Sequence, residues 1–338
     1  MKLLERSGQL DSLDALFAGA ASRNGRLVFV GGEAGVGKTA LVTWFAERAR
    51  SQARVLIGGS DSLATPRALG PVIDMGIEVK PGGLTGPELF GALLAELDDQ
   101  RRPTLAVFED VHWADQATLD LLRFIGRRAG GVRTLVIATY RSDELGPAHP
   151  LRILLGDLAT QAAVRRMELA PLSPEAVALL ARGSQVDAAE LYRKTGGNPF
   201  FVTEVLQSGL EGIPATVRDA VLARAARLST AGRQALEAAA ICGLRIEMWL
   251  LEGIAGEAAE GVRECIASGL LRSDGPAVAF RHELARDAIQ EAVVVATSVS
   301  LHRKVVEILQ ARPKTQVDGA RITYHADAAG DGETVLAY

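Results

Sequence analysis

Apolar positions change their period along the chain. Residues 1–25 set Leu10, Leu13, Leu16 and Phe17 three or four apart with polar residues opposite, which predicts an amphipathic helix. Residues 26–30 are instead a short apolar run that ends in a glycine-rich turn, and a helical pattern follows over residues 39–50. Similar runs at residues 54–57, 104–108 and 134–139 are rich in Val, Ile and Leu, as strands buried on both faces should be. Helical stretches separate them, which predicts β-α-β units and a parallel sheet. Residues 66–87 hold many Gly and Pro and predict an irregular excursion.

Beyond about residue 155 the texture becomes mostly helical, after a last strand expected at residues 164–169. Ser173, Pro174 and Glu175 read as an N-cap, a first-turn proline and an acidic first turn. Asp187 caps the next predicted helix, which stops at Gly196 and Gly197; Asn198 and Pro199 begin another. Residues 215–228 align Val217, Val221, Leu222, Ala225 and Leu228. Leu270, Leu271 and Arg272, a turn at residues 273–276, and Val278, Ala279 and Phe280 predict a hairpin. Helices followed by a small hairpin suggest a winged-helix module. The tail aligns Leu301, Val305, Ile308 and Leu309 on a further helix.

Composition narrows the class. With 48% hydrophobic and 23% charged residues the chain has a globular composition rather than a disordered one. Its longest uncharged apolar stretch, residues 292–299, is far short of the ~20 residues of a membrane span, and Glu5 and Arg6 interrupt any signal-peptide core. The two cysteines, Cys242 and Cys265, argue against a disulfide scaffold or a structural zinc site. A cytoplasmic protein is expected. The net charge of −4 lacks the basic excess of a nucleic-acid domain, so any contact with DNA is expected outside this chain.

The strongest chemical signal is GEAGVGKT: Gly32, Glu33, Ala34, Gly35, Val36, Gly37, Lys38 and Thr39, followed by Ala40. It matches the P-loop pattern, between a strand and a helix. Glycines let successive N–H groups converge on a β-phosphate, and the helix N-terminus adds partial positive charge. Lys38 reaches the β- and γ-phosphates, and Thr39 offers a hydroxyl to Mg²⁺. The second signal, LAVFED, is a strand that ends in Glu109 and Asp110. By position Glu109 is the Mg²⁺-side residue and Asp110 the base for an attacking water, an order that leaves the two roles exchangeable and hydrolysis slow. Arg141, after Thr139 and Tyr140, is a candidate γ-phosphate contact. Asp115 reads as a helix N-cap and His112 as packing beside the strand. GxSxG, HExxH and a matching Cys/His arrangement are absent.

In combination, GEAGVGKT, LAVFEDVHWAD, TYRSDEL, TGGNPFF and FRHEL resemble the STAND class of signalling ATPases. Within that class the chain is similar to the N-terminal half of large ATP-binding LuxR-type, MalT-like transcriptional regulators. The resemblance implies an α/β P-loop NTPase parallel sheet over residues 1–160 and a helical lid over 161–212. A winged-helix domain over 213–296 and the start of a helical, TPR-like arm over 297–338 would follow. It further implies that Pro199, in the Gly-x-Pro element, touches adenine and that His282 holds the β-phosphate of ADP. Arg6, in the segment that borders the base in such proteins, can lie over it. Residues 325–338 resemble a first repeat cut short, as in an N-terminal piece of a longer protein.

What the resemblance implies is a switch, closed with ADP and self-associating with ATP, reset by slow hydrolysis. An unknown inducer and a DNA-binding C-terminal domain outside this chain would complete it. Three other readings stay open: a fast-turnover ATPase, the P-loop module of a cyclase- or kinase-linked signalling protein, and a nonhydrolysing assembly platform.

Overall fold

The computed structural model describes residues 3–62, 67–78, 86–99, 101–313 and 318–338. They divide into two compact units, Met1–Leu172 and Ser173–Tyr338.

The first unit runs α1 (Ser7–Ala21), β1 (Arg26–Gly31), α2 (Lys38–Ala49), β2 (Arg54–Gly59), α3 (Gly70–Asp74), α4 (Gly86–Leu97), β3 (Thr104–Glu109), α5 (Gln116–Arg128), β4 (Thr134–Thr139), α6 (Pro150–Asp157) and β5 (Val164–Glu168). All described pairings of its sheet are parallel, in the order β2-β3-β4-β1-β5. Side chains alternate across β1: Leu27 and Phe29 enter one core with α5 and α6, whereas Val28 and Val30 enter the other with α1 and α2. Both faces are therefore covered, which is why the strands carry apolar runs instead of alternating patterns. The expected strands and the α/β parallel architecture are present. Asp115 caps α5, its carboxylate accepting from Thr118 N at 3.1 Å.

The expectation of an irregular excursion over residues 66–87 needs correction, although residues 66 and 79–85 lie outside the described ones. Helix α3 forms there, and α4 starts at Gly86. Pro71 sits in the first turn of α3, where its missing N–H costs nothing. Gly58 makes the approach of α3 to β2 possible, since a Cβ on it would stand 1.9 Å from the Pro71 carbonyl oxygen.

The second unit is helical with one small sheet. Its helices are α7 (Pro174–Ala181), α8 (Ala188–Thr195), α9 (Pro199–Ser208), α10 (Ala215–Ala225) and α11 (Thr230–Cys242). Then come β6 (Arg245–Glu247), α12 (Met248–Ala255), α13 (Val262–Ala267), β7 (Leu271–Asp274), β8 (Ala277–Phe280), α14 (Glu283–Ala292), α15 (Val295–Gln310), α16 (Gly319–Ala328) and α17 (Gly332–Ala337). The cap signals perform as their chemistry requires: Ser173, Asp187 and Asn198 accept from Ala176 N, Glu190 N and Phe200 N. The hairpin β7–β8 is antiparallel and gains β6 on its other edge. Among the described residues, no helix is long and apolar enough to cross a membrane.

Helices α15 and α16 are joined by a buried imidazole pair, His302 Nδ1 to His325 Nδ1 at 2.8 Å. One ring must donate and the other accept, so the two rings cannot both be charged. Burial, with His302 and Arg321 nearby, pushes His325 down to about 4 from an ordinary 6.5. Between those values the unfolded chain binds the proton and the folded one does not. The pair's contribution is therefore complete above pH 6.5 and lost as pH falls toward about 4. Thermal unfolding followed across that range should show the loss, and His325→Gln should flatten it.

Candidate functional site

The turn after β1 is built to expose backbone donors. Gly32, Gly35 and Gly37 have φ of 149°, 80° and 96°, a conformation that other residues rarely adopt. Gly37 is the N-cap of the twelve-residue α2, whose first N–H groups face outward with the positive end of its dipole. A Cβ at Gly32 would press on Val36 and on the Leu169 carbonyl, so the loop also packs closely underneath. Lys38 is buried, and its ammonium donates to the carbonyls of Gly32 and Glu33 at 2.8 Å each. Burial lowers its pKa, while the charges of Asp143, Asp110 and Glu144 act in the opposite sense. Positive φ at Gly32, Gly35 and Gly37, an inward lysine and a helix start make a cradle for an anionic group of phosphate size.

Strand order brings the remaining chemistry to this cradle. Strand β4 lies between β1 and β3, so its C-terminal end stands between the glycine loop and the carboxylates. Glu109 ends β3, with the Thr39 hydroxyl in hydrogen-bonding reach. Burial raises the Glu109 carboxyl above the usual range; the Thr39 hydroxyl opposes the rise and the neighbouring Asp110 adds to it. A hydroxyl beside a carboxylate is a hard-oxygen pair of the kind Mg²⁺ takes when phosphates complete its shell. Asp110 adopts φ 53° and ψ 43°, a left-handed conformation that Asp tolerates better than most residues. Its N–H donates to Thr139 Oγ1 at 3.0 Å, which ties the end of β3 to β4.

Arg141 follows β4 but is not an idle cation. Its Nη1 meets Glu144 Oε1 at 2.6 Å, and its guanidinium lies 4.5 Å above the Trp113 ring. His112, with a side chain 1% exposed, stands between two carboxylates: Nδ1 is 3.8 Å from Asp110 and Nε2 is 3.5 Å from Glu144. Burial alone would raise the Glu144 carboxyl, but His112 and Arg141 hold it at about 2. Arg141 is marked in the sequence and Glu144 is not, apart from its place three residues after a strand-end arginine.

Arg6 is 5% exposed and serves the loop from below. Its Nη2 donates to the carbonyls of Val36 at 3.2 Å and Ala170 at 2.7 Å, and Nη1 to Glu5. The guanidinium, expected over a base, thus spans the loop and the segment after β5. In the second unit, Pro199 occupies the first turn of α9 after Gly196 and Gly197, both at positive φ. His282 is the N-cap residue of α14. Its ring meets Phe201 edge-on at 4.9 Å, and a Cβ on Gly196 would stand 2.9 Å from its Nδ1. Two motifs 83 residues apart in sequence are thus neighbours within this unit. Arg193 of α8 pairs with Glu283 beside it.

Residues 2–77 match the family model of the AAA ATPase domain. The uncharacterized protein R02095 of Rhizobium meliloti (strain 1021) is 25% identical over 409 residues, covering 97% of this chain and 39% of that protein. The chain thus spans well under half the length of this curated relative. Among solved structures, the Aeropyrum pernix ORC2 protein, in ADPNP–ADP complexes, aligns with a TM-score of 0.54 at 14% identity over 92% of this chain and 96% of that one. The Walker-type ATPase paby2304 of Pyrococcus abyssi aligns with a TM-score of 0.55 at 14% identity over 85% of this chain and 96% of that one. These two likenesses bear on the fold. The glycine loop lies within residues 2–77, the part similar to the AAA ATPase domain, and the parallel sheet gives the first unit an α/β, P-loop NTPase-like fold.

Proposed function

We propose that the chain is a nucleotide-controlled signalling switch that binds ADP and ATP with Mg²⁺ and hydrolyses ATP slowly. The observation that carries the reading is the convergence of Lys38, Thr39, Glu109 and Asp110 on one glycine cradle. Gly32, Glu33, Ala34, Gly35, Val36, Gly37, Lys38, Thr39 and Ala40 supply the phosphate cradle. Thr39 and Glu109 would hold Mg²⁺, which would supply positive charge against the phosphates. Asp110 orients the attacking water and takes its proton, and Arg141 answers the last phosphate of ATP. The ADPNP–ADP complexes of the Aeropyrum pernix ORC2 protein support an adenine nucleotide as the ligand.

In the second unit, Pro199 and His282 are the proposed readers of the base and the β-phosphate. Their adjacency around Gly196 and Phe201 supports a joint role. The sheet β6–β8–β7, with α11 and α13 against it, supports the winged-helix reading of this region. Nucleotide shifts such a switch only by its differential affinity for the two forms, typically ~1–3 kcal/mol. Self-association with ATP, and transcriptional output through a DNA-binding domain of a longer protein, complete the proposal. Retention of ADP through gel filtration tests it. His282→Ala should lose ADP at least tenfold faster, about 1.4 kcal/mol of lost holding energy; unchanged retention removes His282 from the switch.

A further inference from the structure

The charged residues around Arg141 form a device that the switch reading does not use. Each oxygen of Glu144 has its own neighbour: Oε1 takes Arg141, and Oε2 faces His112 Nε2. The carboxylate is 16% exposed and the imidazole 1%, so water screens the Arg141–Glu144 pair far less than it would on the surface. Trp113 fixes the plane of the guanidinium from one side, and its ring lies 4.4 Å from that of His112. Arg141 therefore sits in a slot between a carboxylate and an indole, at the strand end that separates the glycine loop from Glu109 and Asp110.

We propose that Glu144 is a latch that withholds Arg141 from the nucleotide until a third phosphate competes for it. The inference rests on the nucleotide-switch reading and names the residue that makes the switch respond to triphosphate rather than diphosphate. A diphosphate adds no anion at the last position, so Arg141 stays on Glu144. A triphosphate adds one, and the guanidinium exchanges one carboxylate for a phosphate, a fork-shaped partner of greater charge. His112 remains beside Glu144 and, on its other nitrogen, faces Asp110. Arg141 release is thereby connected, through one imidazole, to the candidate base. Glu144 is a positioning residue in this scheme: it acts through Arg141.

Glu144→Gln keeps the shape of the side chain and removes its charge. The test measures binding of Mg²⁺–ADP and of a Mg²⁺-bound nonhydrolysable ATP analogue to wild type and variant. We expect the triphosphate preference to rise about fivefold or more, with ADP affinity changing less than about twofold. An unchanged preference, or weaker triphosphate binding, overturns the latch. A second readout uses no substitution at Glu144. With Trp44→Phe and Trp249→Phe, Trp113 is the sole tryptophan left, and its emission should change with the triphosphate and not with ADP. Identical emission in both states also overturns the latch. Wild-type protein that binds neither nucleotide would refute the switch reading, and the latch with it; intact ADP binding with an unaltered preference refutes the latch alone.

Discussion

Lys38→Ala is expected to weaken ADP binding about 100-fold or more, the usual consequence of truncating one partner of a buried charge contact. The side chain is already drawn into the loop, its ammonium on the Gly32 and Glu33 carbonyls. Burial disfavours that charge, so the charged lysine is held there at a cost that a phosphate partner offsets. Alanine is a strong helix former at the start of α2, which keeps the fold intact and confines the effect to binding. Circular dichroism that superimposes on wild type, together with a lost binding isotherm, is the expected pair of results. Binding within about threefold of wild type would place the phosphates elsewhere.

The second large effect belongs to Asp110. Asp110→Asn should lower the turnover of ATP by about 100-fold or more, the scale of general-base removal. Affinity for ADP should hold. Asparagine suits the left-handed backbone at this position as well as aspartate does, so the variant isolates the charge. Glu109→Gln should instead weaken the Mg²⁺-dependent part of binding, because the Thr39 hydroxyl already lies beside that carboxylate. Single-turnover measurements at saturating nucleotide separate the two. Full turnover in Asp110→Asn with none in Glu109→Gln would exchange the roles.

Features that rest on local chemistry were legible in the sequence. Gly37 before Lys38 and Thr39 announces a turn, a donor and a hydroxyl within three positions, and Ser173, Asp187 and Asn198 announce helix starts through their own side-chain oxygens. Strand β5 was readable despite its exposed Arg165 and Arg166, because Val164 and Leu169 bracket it. Strand β6 was not: three residues of alternating polarity carry too little pattern, and β8, from a distant segment, makes them a strand. Helix α3 was hidden by the Gly and Pro around it, which signal turns as readily as a helix start.

At the candidate site the limit was distance along the chain. Arg6 finds its acceptors on Val36 and Ala170, backbone atoms that no side-chain pattern can reveal. His112 and Glu144 are 32 residues apart and meet because β3 and β4 are hydrogen-bonded neighbours. The approach of His282 to Gly196 likewise depends on how α8, α9 and α14 pack within the second unit. Motifs identify what a residue can do, whereas partners depend on register and topology.

The most direct measurement denatures the purified wild-type protein and Lys38→Ala side by side and identifies the nucleotide each releases. Wild type should release ADP in near-stoichiometric amount, and the variant none. Wild-type protein that releases no nucleotide, and that also takes up no Mg²⁺–ADP when it is supplied, would contradict the nucleotide switch.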